Sequence, residues 1–327
     1  MNRRLFLKRA FQSSGIVVML PAAKSLGAIE HARKAGYYEH TILAMGTTAR
    51  LGVYARGEEA ANEVITACFE ELKRIESLLT IFNPSSEISK LNSNAGGGFL
   101  FCSADTVAIL VAAKQYASLT DGAFEATVEP LMRLWGFRND NNVLSQLPSD
   151  IEVADALRFI GSDHIELRDS SARLTIAGAK LDLGGIAVGY SLDKMVAMLH
   201  NAGIEDAFID ISGDMFALGK ERGKRGWDVA IPDPQDTAKL IYHATISNEA
   251  LATSGNYESF VVYQAQRFGH IMDPHQGRSS VRMLSSTAIA KTGLDADALS
   301  TASFVSGKAY GTSRLIGVNK IGTLTVT

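Results

Sequence analysis

Short apolar and β-branched runs crowd the second half of this 327-residue chain, at 207–212, 227–232, 240–246, 259–263 and 287–290. Brief strands set so close together favour antiparallel pairing, because parallel neighbours need long crossover connections. The first half adds helical signals. Val64, Ile65, Cys68, Phe69, Leu72, Ile75 and Leu79 recur at helical spacing over 58–79. Ser103 offers an N-cap for a helix reaching about Leu119, stopped by Asp121-Gly122. Ser149 and Glu152 form a capping box that opens a helix ending at Gly161. A strand pair, or one long strand broken near Gly46, fills 40–54, and a loop or short helix fills 83–92. Short strands are expected at 164–168 and 172–177, and a Gly-rich turn at 181–189 feeds a helix ending at 201–203. A helix from about Asp295 to Val305 and a hairpin at 315–318 and 323–326 complete the pattern. The expected fold class is α+β, with mixed, largely antiparallel sheets and packed helices.

Composition narrows the function. With 46% hydrophobic and 20% charged residues the chain is globular in character, neither disordered nor fibrous. Its formal charge is −3, yet the first 28 residues hold Arg3, Arg4, Lys8, Arg9 and Lys24 and no acid, which leaves the rest at −8. An acidic body is a poor nucleic-acid ligand, so no nucleic-acid partner is expected. The basic start, the apolar run at 15–20 and the small residues Gly27 and Ala28 have the parts of a secretory signal. Arg3-Arg4 followed by Phe6, Leu7 and Lys8 resembles the twin-arginine export consensus. The reading is a signal peptide over 1–28, a periplasmic mature domain over 29–327, and either one body or two intimately packed lobes. A basic amphipathic helix opening a cytosolic domain is the plainer alternative. Only Cys68 and Cys102 are present; Cys68 falls on the apolar helical stripe, as a buried free thiol does.

Three segments could carry chemistry. LDLGGIAVGY over 181–190 puts paired glycines after an apolar run and before a helix. Without a Cβ the backbone can approach a ligand, and the helix start offers N–H groups to a phosphate; a tight structural turn has the same sequence. Asp297 and Thr301 lie four residues apart, on one helical face. Their oxygens suit a hard cation such as Mg²⁺ or Ca²⁺, while Asp near a helix start is also ordinary capping. His270 leads into a turn marked by Pro274 and Gly277 and can act as acid or base near neutral pH, or simply be a hydrogen-bonded core residue.

The order of these segments is more specific than any one of them. Met45-Gly46-Thr47, FNPSSEISKLN (82–92), TDGAF (120–124), LWGF (134–137), DLGGIA (182–187), SGNY (254–257), HIMDP (270–274) and ADALST (296–301) together resemble the FAD:protein FMN transferase (ApbE) family. The resemblance spans about 42–307. It implies an FAD site between two lobes and transfer of FMN to a Thr or Ser hydroxyl of a target protein, which is the partner, with release of AMP. It also implies metal contacts from Asp297, Thr301 and the backbones of Ser300 and Gly185. The flavin contacts it implies are Met45, Phe82, Ala123, Phe124, Glu125, Asp182 and the backbone of Ile271, with Val188 at the FAD position where the family usually has Lys. His270 is the candidate catalytic residue. A Mg²⁺-dependent FAD pyrophosphatase and a non-catalytic periplasmic flavin carrier are the alternative functions.

Overall fold

The computed structural model describes residues 36–139, 141, 143–257, 259–310 and 314–327; the signal read at 1–28 lies outside them. The chain opens with β1 (Gly36–Ala44) and β2 (Thr47–Ala55), then α1 (Glu58–Leu79) and α2 (Glu87–Ser93). Next come β3 (Leu100–Phe101), α3 (Ala104–Leu119), α4 (Glu129–Leu134) and α5 (Asp150–Leu157). β4 (Ile165–Arg168) and β5 (Ser171–Leu174) lead to α6 (Ala187–Asn201), followed by β6 (Ala207–Ile211) and β7 (Asp214–Leu218). Two hairpins frame the next central strand: β8 (Trp227–Asp233) with β9 (Asp236–Ile246), and β11 (Phe260–Tyr263) with β12 (Gln266–Gly269), on either side of β10 (Glu249–Gly255). β13 (Met272–Asp273), β14 (Arg278–Ser279), β15 (Met283–Ala290), α7 (Gly293–Ser306), β16 (Arg314–Asn319) and β17 (Leu324–Val326) complete it.

Eight strands form one sheet in the order β1-β2-β6-β7-β10-β15-β16-β17, antiparallel at every step. Side chains alternate strictly between its faces. Ile209, Ile211, Phe216, Leu218, Ala250 and Ala252 meet Ile65, Leu72, Leu192 and Met195 from α1 and α6. Phe208, Met215, Ala217 and Leu251 point the other way, onto Trp227, Val229, Ile231 and Ile246 of the β8–β9 hairpin. With both faces covered, the central strands read as continuous apolar runs rather than alternating ones. A second core gathers Leu91, Ile109, Phe124, Leu181, Ile186 and Phe304 beneath α2, α3 and α7.

Local expectations and structure differ in four places. Glu249–Gly255, outside every strand expected from the sequence, forms β10. Its polarity has a partner: Thr253 Oγ1 lies 2.8 Å from Thr287 Oγ1 on β15. The capping box at Ser149 is present, but its helix ends at Leu157. The strand expected at 172–177 ends at Leu174. Finally, Glu129–Leu134, outside every helix expected from the sequence, forms α4, with proline in its first turn, where a missing N–H costs nothing. Cys68 and Cys102 are unpaired and belong to different cores.

Candidate functional site

Two helices that are far apart in sequence cross at a pair of glycines. A Cβ on Gly189 of α6 would collide with the carbonyl of Gly293 and come within 2.7 Å of Asp297 Cβ; one on Gly293 would meet Leu192 Cβ at 2.9 Å. At this crossing each helix caps the other. Asp193 of α6 accepts hydrogen bonds from Gly293 N–H (2.6 Å) and Leu294 N–H (3.0 Å) at the start of α7. In return Asp297 Oδ2 accepts from Gly189 N–H at 2.9 Å. Asp297 therefore caps a helix, though not its own; the cap of α7 is Thr292, which accepts from Asp295 N–H.

This crossing brings the Gly184-Gly185 turn against α7. A Cβ on Gly185 would stand 3.2 Å from Thr301 Oγ1 and 3.5 Å from Phe124 Cε2. Asp297 is 95% buried, and burial pushes its carboxyl up to about 7, with the Gly189 N–H opposing and the charge of Asp193 adding to the rise. Its Oδ1 has no hydrogen-bond partner among the described residues and is not sealed from solvent. Thr301 Oγ1 lies 3.1 Å from Ser254 Oγ, which also sits 2.8 Å from Ser300 Oγ. Among the described residues no three His, Cys, Asp or Glu side chains cluster as a metal site. The donors present are one carboxylate, hydroxyls and glycine backbone, an all-oxygen set that fits a hard divalent cation.

Asp297, Thr301 and Gly185 open into a cleft of about 470 Å³. Its walls also carry Met45, Phe82, Ala123, Phe124, Glu125, Asp182, Val188, His270 and Ile271. Of the residues singled out from sequence, only Ser300 does not border the cleft: its hydroxyl donates to the Asp297 carbonyl beneath it. Glu125 borders the cleft while its carboxylate is engaged elsewhere. Oε1 accepts from Thr127 N–H and Oγ1–H, and Oε2 from Ser162 N–H, all at 2.9 Å.

Two tight hairpin turns form one rim. Met45-Gly46 joins β1 to β2 and Ser212-Gly213 joins β6 to β7, with φ of 53° and 74°, and 55° and 100°. Such two-residue turns need left-handed backbone at both positions, for which Asn-Gly is the usual sequence. Met and Ser carry that conformation here, and both line the cleft. Strain of this kind collects at ligand sites.

His270 Nδ1 lies 3.1 Å from the Ser259 carbonyl. A carbonyl can only accept, so Nδ1 carries the proton and Nε2 keeps a free lone pair. Burial lowers the imidazole below its usual value, and Arg138 adds to this, while the Ser259 carbonyl and Asp182 oppose it. At neutral pH the ring is an uncharged base.

Among the cleft residues that sequence reading missed, Arg138 carries the most chemistry. Its side chain is 17% exposed, bonds Glu129 through Nε (2.8 Å) and Nη2 (2.6 Å), and also reaches Asp182. The only available signal was a cation directly after LWGF, and nothing local showed that it turns inward. Lys194, the nearest cation on α6 to Val188, is held 2.9 Å from Asp105 instead.

Known proteins resemble this chain in sequence and in fold. The model of the ApbE family matches residues 45–317. The FAD:protein FMN transferase of Haemophilus influenzae is 30% identical over 277 residues, covering 81% of this chain and 79% of that protein. That of Treponema pallidum is 30% identical over 288 residues, covering 83% and 79%. The crystal structure of the ApbE protein from Thermotoga maritima superposes with a TM-score of 0.82 at 31% identity, covering 89% of this chain and 97% of that one.

Proposed function

This chain belongs to the ApbE family, and from that premise we propose that its cleft transfers FMN from FAD to a Thr or Ser hydroxyl of another protein, releasing AMP. One observation carries the reading: Gly185, Asp297 and Thr301 adjoin at the floor of a cleft walled by Phe82, Phe124 and Met45. Aromatic and thioether side chains suit the flat flavin ring, and the oxygen floor suits its diphosphate with a cation. Asp297 Oδ1, Thr301 Oγ1 and the Gly185 backbone would hold Mg²⁺, which when bound supplies Lewis-acid stabilisation of charge on the phosphate oxygens.

The residues of the chain do the rest. His270 Nε2 takes the proton from the acceptor hydroxyl as its oxygen bonds to the FMN phosphorus. The phosphorus–oxygen bond to AMP breaks, AMP leaves with the bridging oxygen, and the proton returns to solution or to AMP. Asp182 fixes the turn by accepting from Gly184 N–H at 2.8 Å. The test is incubation with FAD, Mg²⁺ and a Thr-containing acceptor protein. A covalent fluorescent adduct with one AMP per flavin is expected. AMP and free FMN without adduct would make the protein a pyrophosphatase, and bound FAD with no AMP a carrier.

We place the reaction in the periplasm, on the strength of Arg3-Arg4 and the apolar run after them. Changing both arginines to lysine is expected to leave a reporter fusion in the cytoplasm; export at the native level would exclude the twin-arginine route.

A further inference from the structure

We propose that Arg138 reads the carbonyl edge of the flat ring that the cleft takes up, and so sets its preference for a flavin over other nucleotide groups. The inference rests on the flavin reading above and adds to it a residue which that reading does not use. Three of the five guanidinium N–H groups are committed, two to Glu129 Oε2 and one to Asp182 Oδ2. The two on Nη1 have no hydrogen-bond partner among the described residues, and Nη1 is not sealed from solvent. Arg138 lines the cleft, and its bonds through Nε and Nη2 fix the plane of the guanidinium that carries this pair.

The surroundings decide what the donors can bind. Glu129 is fully buried and shared with Arg133, whose Nε lies 2.8 Å from Oε1, while Asp182 borders the cleft, so the two guanidinium groups already have two carboxylates between them. A phosphate here would face Asp182 across the same group, and like charges repel. A neutral acceptor meets no such penalty. The ring of Phe82, 63% exposed, has its centroid 5.5 Å from Arg138 Cζ. A flat heteroaromatic packed at Phe82 would thus bring its edge beside the free donors. The chemistry selected is a ring with carbonyl acceptors on its edge, as in the pyrimidinedione of a flavin, and not an adenine, whose edge offers ring nitrogens and an amine.

The test measures binding by the intact protein, with riboflavin, FMN and ADP as probes. Arg138→Lys keeps a charge between Glu129 and Asp182 but loses the fork. It is expected to weaken riboflavin and FMN about tenfold or more while leaving ADP within about twofold. Unchanged riboflavin affinity, or an equal loss for ADP, would overturn the proposal. A measurement on the unsubstituted protein stands beside it: flavins with sulfur in place of the 2- or 4-carbonyl oxygen accept hydrogen bonds poorly. At least one should bind more weakly than riboflavin, and full affinity for both would exclude carbonyl recognition. Flavin binding that depends on Arg138, in a protein that makes neither adduct nor AMP, would sink the transferase reading alone. Normal transfer with Arg138→Lys binding riboflavin as tightly as before would sink this assignment alone.

Discussion

Asp297→Ala is expected to lower FMN transfer by about a thousandfold, the loss associated with removing a group that stabilises charge on the reacting oxygens. Two effects must be separated. The carboxylate caps α6 through Gly189 N–H, and Asp297 also lines the cleft. Asp297→Asn keeps an oxygen for the Gly189 cap but lacks the charge. It should therefore fold with nearly native stability, lose activity to the same degree, and require far more Mg²⁺ for FAD to bind. Alanine should in addition cost about 1–3 kcal/mol, because a buried N–H loses its acceptor. The check is chemical denaturation of both variants, with Mg²⁺ titration of FAD binding by fluorescence. If Asp297→Asn turns over normally, the carboxylate is a cap and nothing more.

His270→Ala should reduce the turnover rate by about 10²–10⁴-fold, the usual range for a lost general base. The pH profile makes the claim specific. Because burial lowers the folded imidazole below 6.5, the neutral base is already populated at pH 7. With Mg²⁺ in excess, which would hold the Asp297 carboxylate ionised, activity should be flat from there to about pH 8 and fall only as pH drops through the depressed value, when protonation removes the lone pair on Nε2. The charges that act on the ring are those of Asp182, which raises its value, and Arg138, which lowers it. Rates measured across pH 5–8 should show an acid limb in the native enzyme that is absent in His270→Ala. A limb of the same midpoint in both proteins would assign the titration to another group.

These two expectations depend on tertiary geometry to different degrees. His270 reads plainly as a histidine before a Pro-Gly turn, but its neutral tautomer follows from the Ser259 carbonyl, 11 residues away in the chain. Asp297 read as a helix cap or as a cation ligand, with capping the plainer reading. In the structure it is a cap, but of a helix other than its own, and its Oδ1 has no hydrogen-bond partner among the described residues. That arrangement requires the glycines at 189 and 293, since any side chain there would push α6 and α7 apart and withdraw Asp297 from the Gly189 N–H.

Sequence by itself determined the class of the fold and named many of the residues that border the cleft. Periodicity reports which faces are buried, so α1 and the central strands were legible, and motif order brought in Met45, Phe82, Phe124, Asp182, Gly185, Asp297 and Thr301. It could not show β10 continuing through Thr253 and Ser254, because their hydroxyls are paired from β15 and α7. Nor could it show that Arg138 turns inward, since a lone cation after an aromatic motif looks like surface until Glu129 and Asp182 are placed on either side. Local patterns carry information about burial and backbone conformation within a few residues. Which oxygens converge, and which charges are neutralised before a ligand arrives, depends on contacts about a hundred residues apart, and only folding sets those distances.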